Sequence, residues 1–255
     1  MDQKIKPVFN EATTIPSLLR NVVKNIHLES QTFLIHKQGP EWVETSFKQT
    51  LDRADAVSAF FLSKGIEKDD RMGLMIENGP DYVYYDQGIQ QIGGVNVSIY
   101  PTLSEHEVEY IINDSEIKSI LIGNNFLYRK ILKVATNCPG LKFIIPVFEG
   151  FEKVAVPENI PAEIIPFTTI LQSEGTLTND VIGEITRRRD QIQQTDLSSL
   201  IYTSGTTGTP KGVMLTHSNF VNNVRVALDQ IPVIDQNETF LSFLPLSHVF
   251  ERTAT

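Results

Sequence analysis

The sequence predicts an α/β fold of mostly parallel sheets flanked by helices. Two observations carry that prediction. Across residues 71–147, short β-prone apolar runs alternate with helix-patterned runs, and such alternation implies right-handed crossovers that return each strand parallel to its neighbour. The runs are strand-sized, and they read as strands covered on both faces by helices.

The elements follow in order. Residues 14–29 set Ile15, Leu18, Leu19, Val22, Val23 and Ile26 on one stripe, with Pro16 in the first turn, the spacing of an amphipathic helix. A hairpin comes next, since β-prone residues 32–36 and 42–45 flank the turn dipeptide Gly39-Pro40. Ser46 caps a second helix whose inward positions are Leu51, Ala54, Val57, Phe61 and Leu62, and Gly65 ends it. Strands are then predicted at 71–76, 94–97, 117–122 and 141–147, with helices at 80–92, 104–113 and 126–136. Ser104 and Glu107 form a capping-box pair at the start of the second of these helices. Residues 149–195 are less hydrophobic, punctuated by Pro157, Pro161 and Pro166, with a helical segment over 170–189. They read either as a linker between subdomains or, as the few elements of the final region favour, as a surface excursion of the same sheet system, between an N-terminal part, 1–148, and a final region, 196–255, that opens on a strand at 199–203.

Composition limits the function. The 255 residues carry 22 Lys+Arg against 31 Asp+Glu, a net charge of -9, which excludes a protein that grips nucleic acid through a dense basic surface. The single cysteine, Cys138, leaves no internal disulfide and no cysteine-rich metal site, as suits a reducing compartment. The N-terminus has no apolar signal core and no run is long enough to span a bilayer. The expected location is cytoplasmic, with peripheral membrane contact left open.

The chemistry concentrates in Tyr202-Thr203-Ser204-Gly205-Thr206-Thr207-Gly208-Thr209-Pro210-Lys211-Gly212-Val213. Those twelve positions hold three glycines, five Ser/Thr hydroxyls and one lysine. Glycine lets backbone N–H groups face an anion, hydroxyls donate to phosphate oxygens or ligate magnesium, and lysine adds a mobile positive charge. A Walker A loop needs Gly-Lys-Ser/Thr followed by a helix. Here Pro210 precedes Lys211, and Gly212 and β-prone residues follow it, so a strand-loop-strand device is expected.

This segment resembles the phosphate loop of the adenylate-forming, AMP-producing synthetases, and within them the long-chain acyl-CoA synthetases. Residues 93–102 (Gly-Gly-Val-Asn-Val-Ser-Ile-Tyr-Pro-Thr), 196–201 (Asp-Leu-Ser-Ser-Leu-Ile) and 243–252 (Phe-Leu-Pro-Leu-Ser-His-Val-Phe-Glu-Arg) are similar to further stretches of that family. The resemblance covers residues 13–255, and the last stretch points to the fatty-acyl branch. It implies the N-terminal part of the large domain of an adenylate-forming enzyme, using ATP, Mg and coenzyme A to activate a fatty acid.

Carried over by position, Thr203, Ser204, Gly205, Thr206, Thr207, Gly208, Thr209 and Lys211 would wrap the β- and γ-phosphates, with Ser204 nearest the magnesium ion. Lys211 and His248 would serve the reaction, the lysine at the departing pyrophosphate and the histidine orienting the carboxylate. His248, Val249 and Arg252 would border the acyl substrate. Some family members place an aromatic gate where this chain has Arg252. His217, after the cap residue Thr216, is read as structural, Cys138 as inert, and Tyr82, Tyr84 and Tyr85 as packing. Family members continue past this point with adenine- and ribose-binding residues and a small C-terminal domain bearing a catalytic lysine. The chain is therefore expected to be part of a longer enzyme and inactive alone. Two alternatives stand beside this reading: an aryl, short-chain or luciferase-type adenylating enzyme, and a non-catalytic nucleotide-binding module.

Overall fold

The computed structural model describes residues 11–203, 209–230, 238–248 and 251–252. Helix α1 (Ile15–Ile26) starts at Thr14, whose side chain accepts from the Ser17 amide, and it stops where His27 turns left-handed at φ 58°. Strands β1 (Thr32–Gln38) and β2 (Glu41–Ser46) form an antiparallel hairpin pairing Gln38 with Glu41. Helix α2 (Phe47–Ser63) begins at the Ser46–Gln49 capping box and buries Ala54, Val57 and Phe61.

The sheet proper starts with β3 (Arg71–Met75), α3 (Pro80–Gln90), β4 (Val95–Ser98), α4 (Glu105–Asp114), β5 (Ser119–Ile122), α5 (Asn125–Val134) and β6 (Phe143–Pro146). It continues through β7 (Glu163–Ile164), α6 (Phe167–Ile170), α7 (Asn179–Gln191), β8 (Leu197–Thr203), β9 (Lys211–Thr216) and α8 (His217–Gln230). Seven strands lie in the order β7-β6-β5-β3-β4-β8-β9. All neighbours are parallel except β8 and β9, so the fold is α/β with a mostly parallel sheet flanked by helices. The stretch 149–195 supplies β7 to this sheet through pairing with β6.

The helix expected over 170–189 is in fact two. Both the amide and the hydroxyl of Thr176 donate to the Ser173 carbonyl, each at 3.1 Å, and this local turn competes with a continuous helix. Helix α7 restarts at Asn179.

Alternation along the strands divides the core. Met75, Val97, Ile120, Ile122 and Ile144 join α4 and α5 on one side of the sheet. Met72, Leu74, Leu121, Phe143 and Ile145 join α2 and α3 on the other. On that second side, β4 departs from its neighbours: where β3 presents Met72 and Leu74, β4 presents Asn96 and Ser98, both buried. The polar patch lies directly beneath α3.

Helix α3 also packs closely on α2. A Cβ on Gly88 would stand 2.5 Å from the Val57 Cβ and 2.8 Å from the Ala54 carbonyl oxygen, so only glycine fits there. The Ser58 hydroxyl crosses the same contact, donating to the Gly88 carbonyl at 2.7 Å.

Candidate active site

Parallel sheets bind ligands beyond the carboxyl ends of their strands. Two candidate segments lie at that edge. The first is the hairpin end of β8 and β9, where the ladder runs from Leu197 opposite Thr216 to Thr203 opposite Lys211. Thr203, Thr209 and Lys211 are exposed there. The register places the lysine across from the residue that opens the loop. Ser204, Gly205, Thr206, Thr207 and Gly208 lie outside the described residues.

The base of the hairpin is fixed. Tyr202 donates its hydroxyl to Asp114 Oδ2 at 2.6 Å, tying the end of β8 to the last residue of α4. Burial, together with the hydrogen bond and charge of Asp114, raises its phenol well above the ordinary range. Gly212, its partner on β9, comes so close that a Cβ would stand 3.1 Å from the Tyr202 ring. Strand packing thus favours the glycine after the lysine.

The second segment is 242–252. Asn78, three residues past β3, donates to Ser242 Oγ at 2.9 Å and to the Leu244 carbonyl at 2.6 Å, and it accepts from the Leu246 amide at 2.8 Å. Tyr82 donates to the Leu246 carbonyl at 3.1 Å and shares a hydrogen bond with Ser98 at 2.9 Å. Leu246 and Ser247 are buried, whereas His248 is exposed. The histidine amide donates to the Pro245 carbonyl at 2.8 Å, and its own carbonyl accepts from the Arg252 amide at 3.2 Å. Val249 lies outside the described residues.

Arg252, expected on the substrate side, points inward. Its Nη2 donates to both oxygens of Asp86, at 2.8 and 3.1 Å, with the two side chains 5% and 9% exposed. The Phe220 ring covers the guanidinium at 4.9 Å. Asp86 also accepts from Gln90 Nε2 at 2.9 Å and Asn96 Nδ2 at 2.7 Å, and Gln90 accepts from Ser198 of β8 at 2.9 Å. Sequence reasoning missed this network. Its signal was present: Tyr82, Asp86 and Gln90 recur every four residues along α3, a polar stripe on one face of a largely buried helix, with Asn78 one step before it in the preceding loop.

His217 has the structural place expected of it. Buried at the start of α8, its Nδ1 accepts from the Ile15 amide at 3.3 Å and so holds the first turn of α1. Burial, then the Arg252 charge, lower its pKa to about 4, against the opposing pull of Asp196 and Asp86. The imidazole is therefore neutral at physiological pH. Cys138 is buried, donates to the Val134 carbonyl at 3.3 Å, and is pushed up to about 11 mainly by burial, which removes the thiolate that reactivity needs.

Residues 27–255 match the AMP-binding enzyme family. The chain belongs to that family. It is 32% identical over 218 residues to fatty acyl-CoA synthetase A of Dictyostelium discoideum, an alignment covering 83% of this chain and 30% of that protein. It is 30% identical over 224 residues to a long-chain-fatty-acid–CoA ligase of Bacillus subtilis, covering 82% and 39%. The fold resembles that of the A-PCP didomain of carboxylic acid reductase from Segniliparus rugosus, solved with AMP, with a TM-score of 0.73, 17% identity and coverage of 99% and 39%. The chain spans about a third of the length of the curated relatives it matches.

Among the described residues no group of three or more His, Cys, Asp or Glu side chains could hold a metal ion, and no helix is long and apolar enough to cross a membrane. Around the hairpin end the donors are hydroxyls, backbone amides and one ammonium group. That set suits the oxygens of a polyphosphate.

Proposed function

We propose that this chain is the N-terminal part of the large domain of a longer AMP-forming ligase. That ligase activates a fatty acid, long-chain by its relatives, with ATP and passes the acyl group to coenzyme A. The observation that carries this reading is the hairpin end itself: Lys211 opposite Thr203, at the two ends of a Gly/Ser/Thr loop, in a chain of the AMP-binding enzyme family.

In the first step a carboxylate oxygen attacks the α-phosphorus of ATP, the bond from that phosphorus to the bridging oxygen breaks, and pyrophosphate leaves. Thr203, the loop 204–209 and Lys211 hold the β- and γ-phosphates, and the lysine charge offsets the negative charge that builds on the leaving group. His248, presented outward from its anchored segment, orients the carboxylate so that attack starts from a near-reactive geometry. In the second step the thiol sulfur of coenzyme A attacks the acyl carbon and AMP departs. A magnesium ion, with Ser204 as its nearest hydroxyl, would arrive with the phosphates and neutralise their charge. Val249 belongs to the acyl side in this reading, the location is cytoplasmic with peripheral membrane contact, and nucleic acid is not a partner.

The test is pyrophosphate release by the full-length protein with ATP and a panel of fatty, short-chain and aromatic acids. Release that depends on a fatty acid, followed by thioester formation with coenzyme A, is the expected result. Release only with aromatic or short acids would move the substrate class. ATP binding without acid-dependent release would reduce the site to a nucleotide-binding module.

A further inference from the structure

We propose that Asp86 and Arg252 form a positioning pair that fixes where His248 stands. The inference rests on the proposed ligase reading and adds to it the residues that set the carboxylate side of the site.

Three points on one stripe hold the 242–252 segment. Asn78 grips its start through Ser242, Leu244 and Leu246, Tyr82 holds the Leu246 carbonyl, and Asp86 holds Arg252 at its end. His248 lies between the second and third grips. The first grip differs in character from the last: Asn78 is exposed and replaceable by water, whereas the Asp86–Arg252 pair is buried. Among the described residues, Nε and Nη1 of Arg252 find no hydrogen-bond partner, so the guanidinium depends on Asp86 and on the ring of Phe220.

A buried ion pair adds little net stability over apolar packing of the same volume, because desolvation offsets the attraction. What it adds is direction. Nη2 of Arg252 finds its charge partner only where Asp86 stands, and Asp86 is itself fixed by Gln90 and Asn96. An apolar pair at the same place could slide along α3, carrying the histidine with it. The network runs on through Gln90 to Ser198 of β8, the strand that leads into the phosphate loop. Helix α3 thus bonds both to the 242–252 segment and to the start of β8.

The experiment uses the full-length protein with Asp86→Asn and Arg252→Met, singly and together. The double variant keeps acceptors for Asn96 and Gln90 while removing both buried charges, so it is expected to fold with little loss of thermal stability. Its adenylation kcat should fall about 10- to 100-fold, the cost of a displacement near 1 Å, while KM for ATP moves less than about threefold. Adding His248→Ala to the double variant should cost far less than it does in the wild type, because the pair acts through that histidine. Hydrogen exchange should rise across 242–252 and stay unchanged along β8–β9. Full additivity of His248→Ala with the pair would instead mean that Arg252 meets the substrate directly, and would overturn the inference. So would unchanged exchange at 242–252, or a parallel rise in KM for ATP. Absence of acid-dependent pyrophosphate release from the wild type would sink the ligase reading instead, and the exchange measurement still decides the positioning role.

Discussion

At the hairpin end of β8 and β9, Thr203 and Lys211 stand exposed where the antiparallel ladder closes, with Thr209 exposed just before β9. Under the 242–252 segment, Tyr82, Asp86, Asn96 and Ser98 are buried and bonded to one another. In the proposed ligase the two regions would serve one site by opposite means. A phosphate-binding surface must stay hydrated and adaptable until its ligand arrives, so its donors are solvent-facing and joined by permissive backbone. A surface that fixes the angle of attack must already be rigid, so its polar groups are satisfied by each other beneath the site.

The strongest blow to the exposed half is Lys211→Ala. Adenylation in the full-length protein should drop about 30- to 1,000-fold, roughly 2 to 4 kcal/mol, because the lost contact forms mainly as pyrophosphate departs. Transfer from a supplied acyl-adenylate to coenzyme A should be nearly unaffected. Equal losses in both half-reactions, measured side by side, would remove the lysine from pyrophosphate departure.

Gly88→Ala attacks the rigid half from behind. The added methyl meets Val57 and the Ala54 carbonyl, and forcing α3 away from α2 should cost about 3 kcal/mol in stability. Chemical denaturation reads the loss, and adenylation should weaken with it because the polar stripe moves. A variant of unchanged stability would show that α3 is not held where the two helices touch.

His217 makes stability depend on pH. Its pKa falls from 6.5 to about 4 on folding, so between those values the unfolded chain binds the extra proton and the folded chain does not. Stability from this group is full above about pH 6.5 and is lost as pH falls toward about 4, by about 3 kcal/mol in all. His217→Asn keeps an acceptor for the Ile15 amide and removes the titration, so its stability should be flatter across that window. Unfolding midpoints that track the wild type at every pH would assign the acid sensitivity elsewhere.

The smallest effect belongs to Tyr202→Phe. Losing one hydroxyl contact to Asp114, whose carboxylate can be rehydrated, should cost about 1 kcal/mol. Exchange at the β8–β9 end should rise while 242–252 stays protected. Loosening at both places would show that the two regions are less independent than their contacts indicate.

The hairpin end was legible because its residues are adjacent in the chain. Glycines, hydroxyls and a lysine within twelve positions supply donors of the kind a polyphosphate needs, and the resemblance to the family's phosphate loop is carried by those same residues. The strands and helices of 71–147 were legible for a related reason, since buried strands and amphipathic helices carry their pattern locally. The helical segment over 170–189 is interrupted by a turn in which the Thr176 amide and hydroxyl both bond to the Ser173 carbonyl and Gly175 takes φ 68°. Arg252 was read beside the substrate because its neighbours in sequence include His248; its neighbours in space are Asp86 and Phe220.

By itself, then, the sequence determined the α/β class, the strand-loop-strand form of residues 199–216 and the structural place of His217. Each rests on spacing or chemistry within a few residues. Only the tertiary structure decided that a polar stripe on α3 would meet Asn96 and Ser98 rather than water, and that Asp86 would find an arginine 166 positions away. A carboxylate in a helix is compatible with solvent, with a ligand or with a buried partner, and the choice depends on which surface the sheet brings beneath it.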